Sequence, residues 1–290
     1  MTRQVLARSH EKGGYVGDIH GLARISIRRN GELEARDDLV VIEEPMEIRV
    51  DSTPIAVLMR TPGQDRALGA GFLLTEGVIE VSDDLTSIGP CEDPNRPNAH
   101  NIILAHLAPG SPRADERIKE AQRHFYASSS CGLCGKASIE SIHQRVKPHA
   151  HFTELSQRTL TRRDALSREH QPCFKQSGAC HSAIAFTHQE EPRVLASAED
   201  VGRHNAVDKV IGQLLLKEQL PLDEALLWVS GRASFEVVQK ALMGGFHALI
   251  CVGAPTSLAV ELARESHLTL IGFATGAGRY NLYAGALKGE

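Results

Sequence analysis

Two cysteines separated by two residues form the motif in this sequence whose chemistry is easiest to specify. Cys131 and Cys134 lie in the stretch Ser-Ser-Ser-Cys-Gly-Leu-Cys-Gly-Lys at positions 128–136. Its serines and glycines favour an exposed loop, and a helical pattern begins near Lys136. A lysine, a second thiol and a helix N-terminus all favour the thiolate, which is the form of cysteine that attacks sulfur or binds metal. The stretch therefore predicts a reactive pair of thiols.

Three kinds of chemistry suit such a pair. A persulfide carrier would hold a sulfur atom on Cys131, and Cys134 would help to pass it on. A structural zinc site needs four ligands, and Cys173, Cys180 and His181 could complete one, although their spacing is irregular. A thioredoxin-type motif belongs early in a βαβ unit, whereas this pair lies in a polar stretch. We favour the persulfide carrier, which requires no bound metal.

Four short apolar runs in the last hundred residues alternate with helical patterns. This alternation predicts an α/β fold with a mostly parallel sheet flanked by helices. The helices begin near Asn205, Ser234 and Thr256, and Trp228 and Cys251 are predicted core residues within the runs. The predicted strands are Arg193–Ala198, Ala225–Val229, Ala248–Val252 and Leu268–Ala274.

Each of these four strands is followed by a loop that is rich in glycine and polar side chains. In an open α/β sheet, ligands bind beyond the carboxyl ends of the strands, where helix N-termini and arginines suit phosphate groups. The loops therefore predict a site for a phosphorylated, nucleotide-containing ligand. They contain neither the P-loop pattern nor the dinucleotide-binding glycine pattern, which excludes those two folds. The candidate ligand-binding residues are Gly202, Arg203, His204, Ser230, Gly231, Arg232, Thr256, Ser257, Thr275, Gly276, Ala277, Gly278 and Arg279.

The first part of the chain is richer in strand patterns. Leu39–Val50 predicts two pieces of strand, with Pro45 at an edge or a bulge, and further strands follow at 55–60 and 101–107. Thr61 can cap a helix whose first residue would be Pro62, and Gly77 would end that helix. Leu68, Phe72 and Leu73 would share one face of it.

Length and composition limit the possible classes of protein. The chain has 290 residues and a net charge of −4, and it has no long basic run, which argues against nucleic-acid binding. No stretch approaches the roughly 18 consecutive apolar residues of a membrane span, and the first residues lack the apolar core of a secretory signal. We therefore expect a cytoplasmic protein, in which thiols stay reduced.

The patterns together divide the chain into three regions. We predict a smaller, strand-rich α+β domain at 1–125, a flexible segment with the cysteine pair at 126–165, and an α/β cofactor-binding domain at 166–290.

Several motifs in this chain occur together in one order. The most specific is Glu-Asp-Val-Gly-Arg-His-Asn-Ala-Val-Asp-Lys at Glu199–Lys209. The others are the cysteine stretch at 129–136, Ser-Gly-Arg at 230–232, Ala-Pro-Thr-Ser-Leu-Ala at 254–259, Gly-Phe at 272–273, and shorter motifs at 44–48, 59–62, 71–73 and 76–77. Together, over residues 43–283, they resemble the FdhD family of sulfur carriers, which are required for active formate dehydrogenase.

The resemblance implies a function and a set of partners. By motif position, Cys131 would carry a persulfide received from a cysteine desulfurase, with Cys134 assisting. The sulfur would pass to the bis-molybdopterin guanine dinucleotide cofactor (Mo-bisMGD) of formate dehydrogenase, and the segment from Phe273 and Ala274 to Gly278 would contact that cofactor. The family also implies a cytoplasmic homodimer and a domain similar to the cytidine deaminase fold. The alternative is a cofactor- or enzyme-binding chaperone with a structural zinc on the cysteine pair.

The sequence departs from the family pattern in two places. The family usually has Thr-Gly-Gly before a histidine, whereas this chain has Ser-Gly-Ala-Cys before His181. The family often has an arginine shortly after the phenylalanine of the last strand, whereas this chain has Ala274 and Thr275, with Arg279 further on.

Overall fold

The computed structural model describes residues 10–11, 14–15, 19–29, 32–109, 116–122, 146–222, 224–275 and 278–288. Cys131, Cys134 and the helix predicted near Lys136 lie outside these residues. Within the described ranges, no helix is long and apolar enough to cross a membrane.

The N-terminal part contains a long β-ribbon, a four-stranded sheet and a helix, and residues 116–122 are also helical. Its elements are β1 (His10–Glu11), β2 (Gly14–Tyr15), β3 (His20–Arg29), β4 (Glu32–Val41), β5 (Glu44–Val50), β6 (Thr53–Arg60), α1 (Asp65–Thr75), β7 (Leu85–Pro90) and β8 (Ile102–Leu107). Strands β3 and β4 pair antiparallel to form the ribbon. The sheet has the order β6-β5-β8-β7, and α1 packs against β7 and β8.

Helix α1 begins three residues later than the sequence predicts. Gln64 occupies the N-cap position in a left-handed conformation, with φ of 57°. The hydroxyl of Thr61 accepts the N–H of Val201 at 3.1 Å instead, and the N–H of Thr61 donates to the Asp200 carboxylate at 3.2 Å. The predicted cap at Thr61 and first turn at Pro62 are therefore wrong, because bonds to distant residues hold Thr61 outside the helix.

Two other local predictions for this part are confirmed. Gly77 follows the end of α1 with φ of 73°, a left-handed conformation that glycine adopts without strain. Pro45 lies in β5, and β5 pairs with β8 only from Glu47 onward. Pro45 therefore has a strand on one side only, as its missing N–H requires.

The C-terminal part is built on a six-stranded sheet with the order β10-β9-β11-β12-β13-β14. Its strands are β9 (His181–Phe186), β10 (Val194–Asp200), β11 (Leu226–Val229), β12 (Ala248–Cys251), β13 (Thr269–Thr275) and β14 (Arg279–Ala284). The four predicted strands are β10 to β13. They run in one direction, although β9 lies antiparallel between β10 and β11.

The prediction of a mostly parallel sheet needs a correction. Two of the five neighbouring pairs, β11–β12 and β12–β13, are parallel, and the other three are antiparallel. Strands β9 and β14 were not predicted, and both run antiparallel to the four predicted strands. The sheet is therefore mixed, and its likeness to the cytidine deaminase fold stays a prediction.

Among the described residues, five helices flank this sheet. They are α2 (Gln157–Glu169), α3 (Pro172–Ser177), α4 (Arg203–Leu216), α5 (Phe235–Met243) and α6 (Ser257–Glu265). Ser234 and Thr256 are the N-cap residues of α5 and α6, as predicted, and α4 begins two residues before the predicted Asn205. Ser156 caps α2 by accepting the N–H of Thr159 at 3.1 Å. Helix α2 begins inside the segment 126–165, which was predicted to be flexible. The domain boundaries stay a prediction.

Helices cover both faces of the C-terminal sheet. On one face, α1 crosses α4, and the predicted face of α1 (Leu68, Phe72 and Leu73) is buried in one core shared by both parts of the chain. On the other face, Leu160 of α2 and Trp228 of β11 belong to a second apolar cluster. The ends of β10 to β13 are left free between these layers, and we call this end of the sheet the carboxyl edge.

Candidate functional site

Backbone hydrogen bonds join the loops that follow β11, β12 and β13 at the carboxyl edge. The N–H of Gly253 donates to the carbonyl of Gly231 at 3.0 Å, and the N–H of Phe273 donates to the carbonyl of Gly253 at 3.1 Å. The N–H of Thr256 donates to Ala233 at 3.0 Å. The predicted convergence of the loops is therefore observed, while ligand binding by them stays a prediction.

The loop after β10 reaches the same edge through Arg203. A Cβ atom added to Gly231 would lie 3.5 Å from Nδ1 of His181 and 3.7 Å from Cδ of Arg203. The side chains of His181 and Arg203 therefore both lie against the loop at Gly231, at ordinary van der Waals distances. The Nε atom of Arg203 is buried and has no hydrogen-bond partner among the described residues, so this guanidinium retains a donor for a ligand.

His204, the next residue, is engaged with α5. Its Nε2 lies 3.0 Å from the carboxylate of Glu236 and 3.3 Å from the hydroxyl of Ser234. The hydrogen bond from His204 holds the pKa of Glu236 below its ordinary value, against the opposing effect of burial. His204 therefore fixes the start of α4 against the start of α5.

Much of the specific 199–209 motif is structural. The Asp200 carboxylate is fully buried and accepts the N–H of Gly202 at 2.8 Å and the side-chain amide of Asn205 at 2.9 Å. Lys209 lies 2.7 Å from the same carboxylate. The N–H of Gly202 is thus engaged by a carboxylate of this chain, which leaves Arg203 as the part of the motif best placed to meet an anion.

The loop after β13 contains an unusual backbone conformation. Phe273 has φ of 54° and is 44% exposed, and a bulky residue in the left-handed region is strained. Thr275 pairs with Arg279 at the turn into β14, and both are exposed. Gly278 has φ of 70°. Gly276 and Ala277 lie outside the described residues.

A cavity of about 440 Å³ lies beside these loops, between the sheet and helices α2 and α3. Of the predicted ligand-binding residues, Ser230, Ala274 and Thr275 line it. Gly278 and Arg279 line an adjoining cleft that also includes Ala274 and Thr275. We call the larger space the edge cavity. Its volume lies in the range of about 300–1,000 Å³ that is typical of small-molecule sites.

The remaining predicted residues lie at the carboxyl edge but outside the edge cavity. Arg232, Thr256 and Ser257 are exposed, and the hydroxyl of Thr256 makes no capping bond with its helix. Gly253 lets two of these loops pack closely against each other, because an added Cβ would lie only 2.9 Å from Cγ of Arg232. A ligand that reached all the predicted residues would therefore have to extend from the cavity across the surface of the edge.

Several residues of the cavity wall were not predicted to bind a ligand there, although Cys180 and His181 were considered as zinc ligands. They are Asp164, Ser167, Arg168, Gln171, Phe174, Cys180, His181, Trp228 and Val252. Trp228, predicted to be core, is 3% exposed, yet its indole N–H has no hydrogen-bond partner within the described part of the chain. A buried indole N–H normally has a partner, so this donor favours a ligand in the cavity. The capping pattern of Ser156 before an amphipathic stretch could have revealed α2.

The remaining cysteines divide into two kinds. Cys173 and Cys180 form a disulfide with each other, so in this state they cannot complete the predicted zinc site. The described residues contain no group of metal-binding side chains that could hold an ion. Cys251 is fully buried, as predicted, and burial raises the pKa of its thiol to about 12. It is therefore an inert thiol.

His181 adds a titratable group to the edge cavity. Burial lowers the pKa of His181 from its ordinary value, and the charges of Arg203 and His204 act in the same direction. The imidazole is therefore held neutral near pH 7, and it can accept a proton or a hydrogen bond there.

Comparison with known proteins gives a consistent match. Residues 41–288 match the model of the FdhD/NarQ family. The sulfur carrier protein FdhD of Streptomyces avermitilis is 44% identical over 262 residues, which cover 89% of this chain and 91% of that protein. The protein of the same name from Mycolicibacterium paratuberculosis is 43% identical over 254 residues, which cover 86% and 92%.

A solved structure agrees with the fold. A protein from Desulfotalea psychrophila, described as a formate dehydrogenase accessory protein, aligns with a TM-score of 0.69 and 24% identity. The alignment covers 92% of this chain and 97% of that one, and it supports a mixed α/β architecture. The family match over nearly the whole chain and the relatives above 40% identity lead to one assignment: the chain belongs to the FdhD/NarQ family.

Proposed function

We propose that this protein is a sulfur carrier that serves formate dehydrogenase. In this proposal a cysteine desulfurase places a persulfide on Cys131, Cys134 assists, and the sulfane sulfur passes to Mo-bisMGD. The carrier is thus a sulfurtransferase. The proposal also includes a cytoplasmic location and a homodimer, which the resemblance to the family implies. The guanylyl and pyrophosphate groups of the acceptor bind at the carboxyl edge, and the edge cavity takes one nucleotide-sized portion.

The observation that carries the proposal is the convergence of the loops on the edge cavity in a chain that is 44% identical to a protein named as a sulfur carrier. Two buried donors without partners among the described residues, the indole N–H of Trp228 and Nε of Arg203, lie in this region. Unpaired buried donors are costly, so a ligand that accepts from them would gain affinity.

The residues at the edge fit part of the proposed acceptor. Arg203 and Arg279 offer guanidinium groups, which suit pyrophosphate oxygens. The cavity of about 440 Å³ is large enough for one guanine nucleotide, whereas both halves of Mo-bisMGD would exceed it. The rest of the acceptor would therefore lie over the exposed loops, where Arg232 and Thr256 are available.

A mass measurement tests the sulfur chemistry. The full chain is incubated with a cysteine desulfurase and cysteine, and its intact mass is determined. We expect an adduct of one sulfur atom that is absent in Cys131→Ala. Cys91→Ser is the matched control, because Cys91 is a buried, free cysteine and its loss should leave the adduct unchanged. Stoichiometric zinc with no sulfur adduct would instead support the zinc-bound chaperone.

Nucleotide binding has a separate test. GDP should raise the melting temperature of the protein, because a ligand that binds only the folded state stabilises it. Arg203→Met should weaken GDP binding by about tenfold through loss of a charged donor. Arg193→Met is the control, since Arg193 is exposed and lies just before the start of β10, away from the carboxyl edge. No shift with millimolar GDP would contradict the proposed nucleotide site.

A further inference from the structure

A second pair of cysteines lies beside the edge cavity. Cys173 is the second residue of α3, Cys180 immediately precedes β9, and their Cα atoms are 6.1 Å apart across the disulfide. The lining of the cavity includes Cys180 and His181 but not Cys173, which is 1% exposed. A small molecule in the cavity would therefore reach Cys180 first, and Cys173 would meet it only through Cys180.

The backbone around this pair is held independently of the disulfide. The Glu199 carboxylate accepts the N–H of Cys173 at 2.7 Å and the N–H of Phe174 at 2.8 Å. At the other end of α3, the N–H of Gly178 donates to the carbonyl of Phe174 at 2.8 Å. The Cα separation lies within the usual disulfide range of about 4.4–6.8 Å. The bond can therefore form and open without a large movement of α3.

A purely structural role leaves the position of the bond unexplained. The two cysteines are seven residues apart, and a disulfide that closes so short a loop constrains the unfolded chain less than one that closes a long loop. Glu199 already fixes the start of α3. The disulfide can, however, be reduced to two thiols and formed again, a reversible two-electron change, and Cys180 lies in the wall of the edge cavity.

We propose that Cys180 and Cys173 form a second sulfur-handling site, which takes sulfane sulfur from a small persulfide in the edge cavity and releases it as hydrosulfide. The Cys180 thiolate attacks the outer sulfur of the persulfide R–S–SH. A new S–S bond forms on Cys180, and the thiolate R–S⁻ leaves and takes a proton from water. This site uses neither Cys131 nor Cys134, so it extends the proposed function.

The second step closes the disulfide. The Cys173 thiolate attacks Sγ of Cys180, the bond to the outer sulfur breaks, and HS⁻ leaves. Two electrons pass from the two thiols to the sulfane sulfur, and the product is the disulfide found in the structure. A dithiol reductant restores the pair for another cycle.

The test uses the full chain carrying C131A and C134A, so that the first cysteine pair is absent. The protein is reduced with a dithiol, desalted without oxygen and mixed with glutathione persulfide. We expect about one equivalent of hydrosulfide and a protein that has lost two hydrogen atoms by intact mass. With Cys173→Ser added, the reaction should stop with one extra sulfur atom mapped to Cys180. With Cys180→Ser added, hydrosulfide release should fall by at least about tenfold.

Controls separate this chemistry from simple oxidation and from misfolding. Cys91→Ser in the same parent should behave like the parent. A disulfide that forms without hydrosulfide, or undiminished release from Cys180→Ser, would overturn the proposal. If Cys173→Ser does not fold, the reaction of the parent is quenched with acid at early times, and the extra sulfur should be found on Cys180. If no extra sulfur is found on Cys180, the proposal is overturned. Either failure leaves the Cys131 measurement unaffected.

Discussion

The ammonium of Lys209 lies 2.7 Å from the carboxylate of Asp200, and both side chains are almost completely buried. Lys209 also donates to the carbonyl of Thr61 at 2.8 Å, while the N–H of Thr61 donates to Asp200. The ion pair therefore ties β10 and α4 to the turn between β6 and α1. The most specific motif in the sequence joins the two parts of the chain, besides presenting Arg203 at the carboxyl edge.

Replacing Lys209 by Met should be strongly destabilising. Asp200 would keep its hydrogen bonds but lose its counter-ion in a fully buried site, and breaking a buried pair from one side typically costs about 3–5 kcal/mol. Urea denaturation measures the loss. The double variant D200N/K209M removes both charges and should recover part of it. Lys217→Met, at an exposed position, should change the free energy of unfolding by less than about 0.5 kcal/mol.

The crossing of α1 and α4 depends on two glycines. A Cβ on Gly71 would lie 1.9 Å from the carbonyl oxygen of Asp208, and one on Gly212 would lie 1.8 Å from that of Ala67. Gly71→Ala or Gly212→Ala must separate the backbones, and we expect a loss of about 3 kcal/mol, the upper end of the usual overpacking cost.

Gly69, on the same helix, supplies the matched control for that crossing. Its added Cβ would meet only the side chains of Ile103 at 2.9 Å and Ile88 at 3.3 Å, which can shift, and alanine gains about 1 kcal/mol in helix propensity over glycine. Gly69→Ala should therefore cost clearly less in the same denaturation experiment. Equal losses at Gly69 and Gly71 would contradict the backbone-contact explanation.

Stability should fall when the pH drops from 7 towards 5. Burial lowers the pKa of His149 from its ordinary value of 6.5, and the charges of His267 and His151 act in the same direction, against a hydrogen bond to the carbonyl of Phe246. His149 also stacks on His247, with ring centroids 4.0 Å apart. Between the lowered pKa of His149 in the folded protein and its ordinary value of 6.5, the unfolded chain binds more protons than the folded protein. The stability that neutral His149 contributes is therefore fully present above this pH range and is lost as the pH falls through it.

Substitution at His149 tests this assignment. His149→Gln cannot titrate, so the dependence of the melting temperature on pH between 7 and 5 should become shallower. His181 has a pKa shifted in the same direction, so part of the dependence should persist. His106→Gln is the control, because His106 is half exposed and lies 3.0 Å from Asp51 at the surface. A slope unchanged in His149→Gln would assign the effect to other groups.

Local signals in the sequence predicted local structure well. Ser234 and Thr256 were identified as helix starts because an N-cap is specified by the cap residue and the turn that follows it. Thr61 and Pro62 carry the same signal, yet the prediction was wrong there. The polar groups of Thr61 bond to Asp200, Val201 and Lys209, and contacts more than a hundred residues away leave no mark on the local pattern.

The position of the candidate site was also predicted in outline from local signals. Glycine and polar side chains after each strand located the carboxyl edge, because the direction of the strands is encoded by the alternation of strand and helix. The cavity wall was not predicted, because α2 and α3 are formed by a polar stretch of sequence. In addition, β9 lies in the sheet between β10 and β11, which both come later in the sequence. Trp228 illustrates the limit: its apolar neighbours indicate core, and only the fold shows that its N–H has no partner among the described residues.

Trp228 offers a direct test of the edge cavity. It is the only tryptophan in the chain, so GDP or another guanine nucleotide that enters the cavity should alter the intrinsic fluorescence. Trp228→Phe removes the indole N–H and should weaken binding by about tenfold, the worth of one hydrogen bond. The smaller ring should also cost about 1–2 kcal/mol of stability, so binding is measured by calorimetry at a temperature where the variant is folded.

Phe186→Leu is the matched control for Trp228→Phe. Phe186 is fully buried in the same apolar cluster, at the end of β9 away from the carboxyl edge, and it does not line the edge cavity. Its truncation should lower stability by a comparable amount, because a similar volume is lost from a packed core, while nucleotide affinity stays within about twofold. If both variants lose affinity equally, the effect comes from weakened packing of the sheet. If Trp228→Phe alone loses affinity, the unpaired indole N–H is a ligand contact, and the edge cavity is where the nucleotide binds.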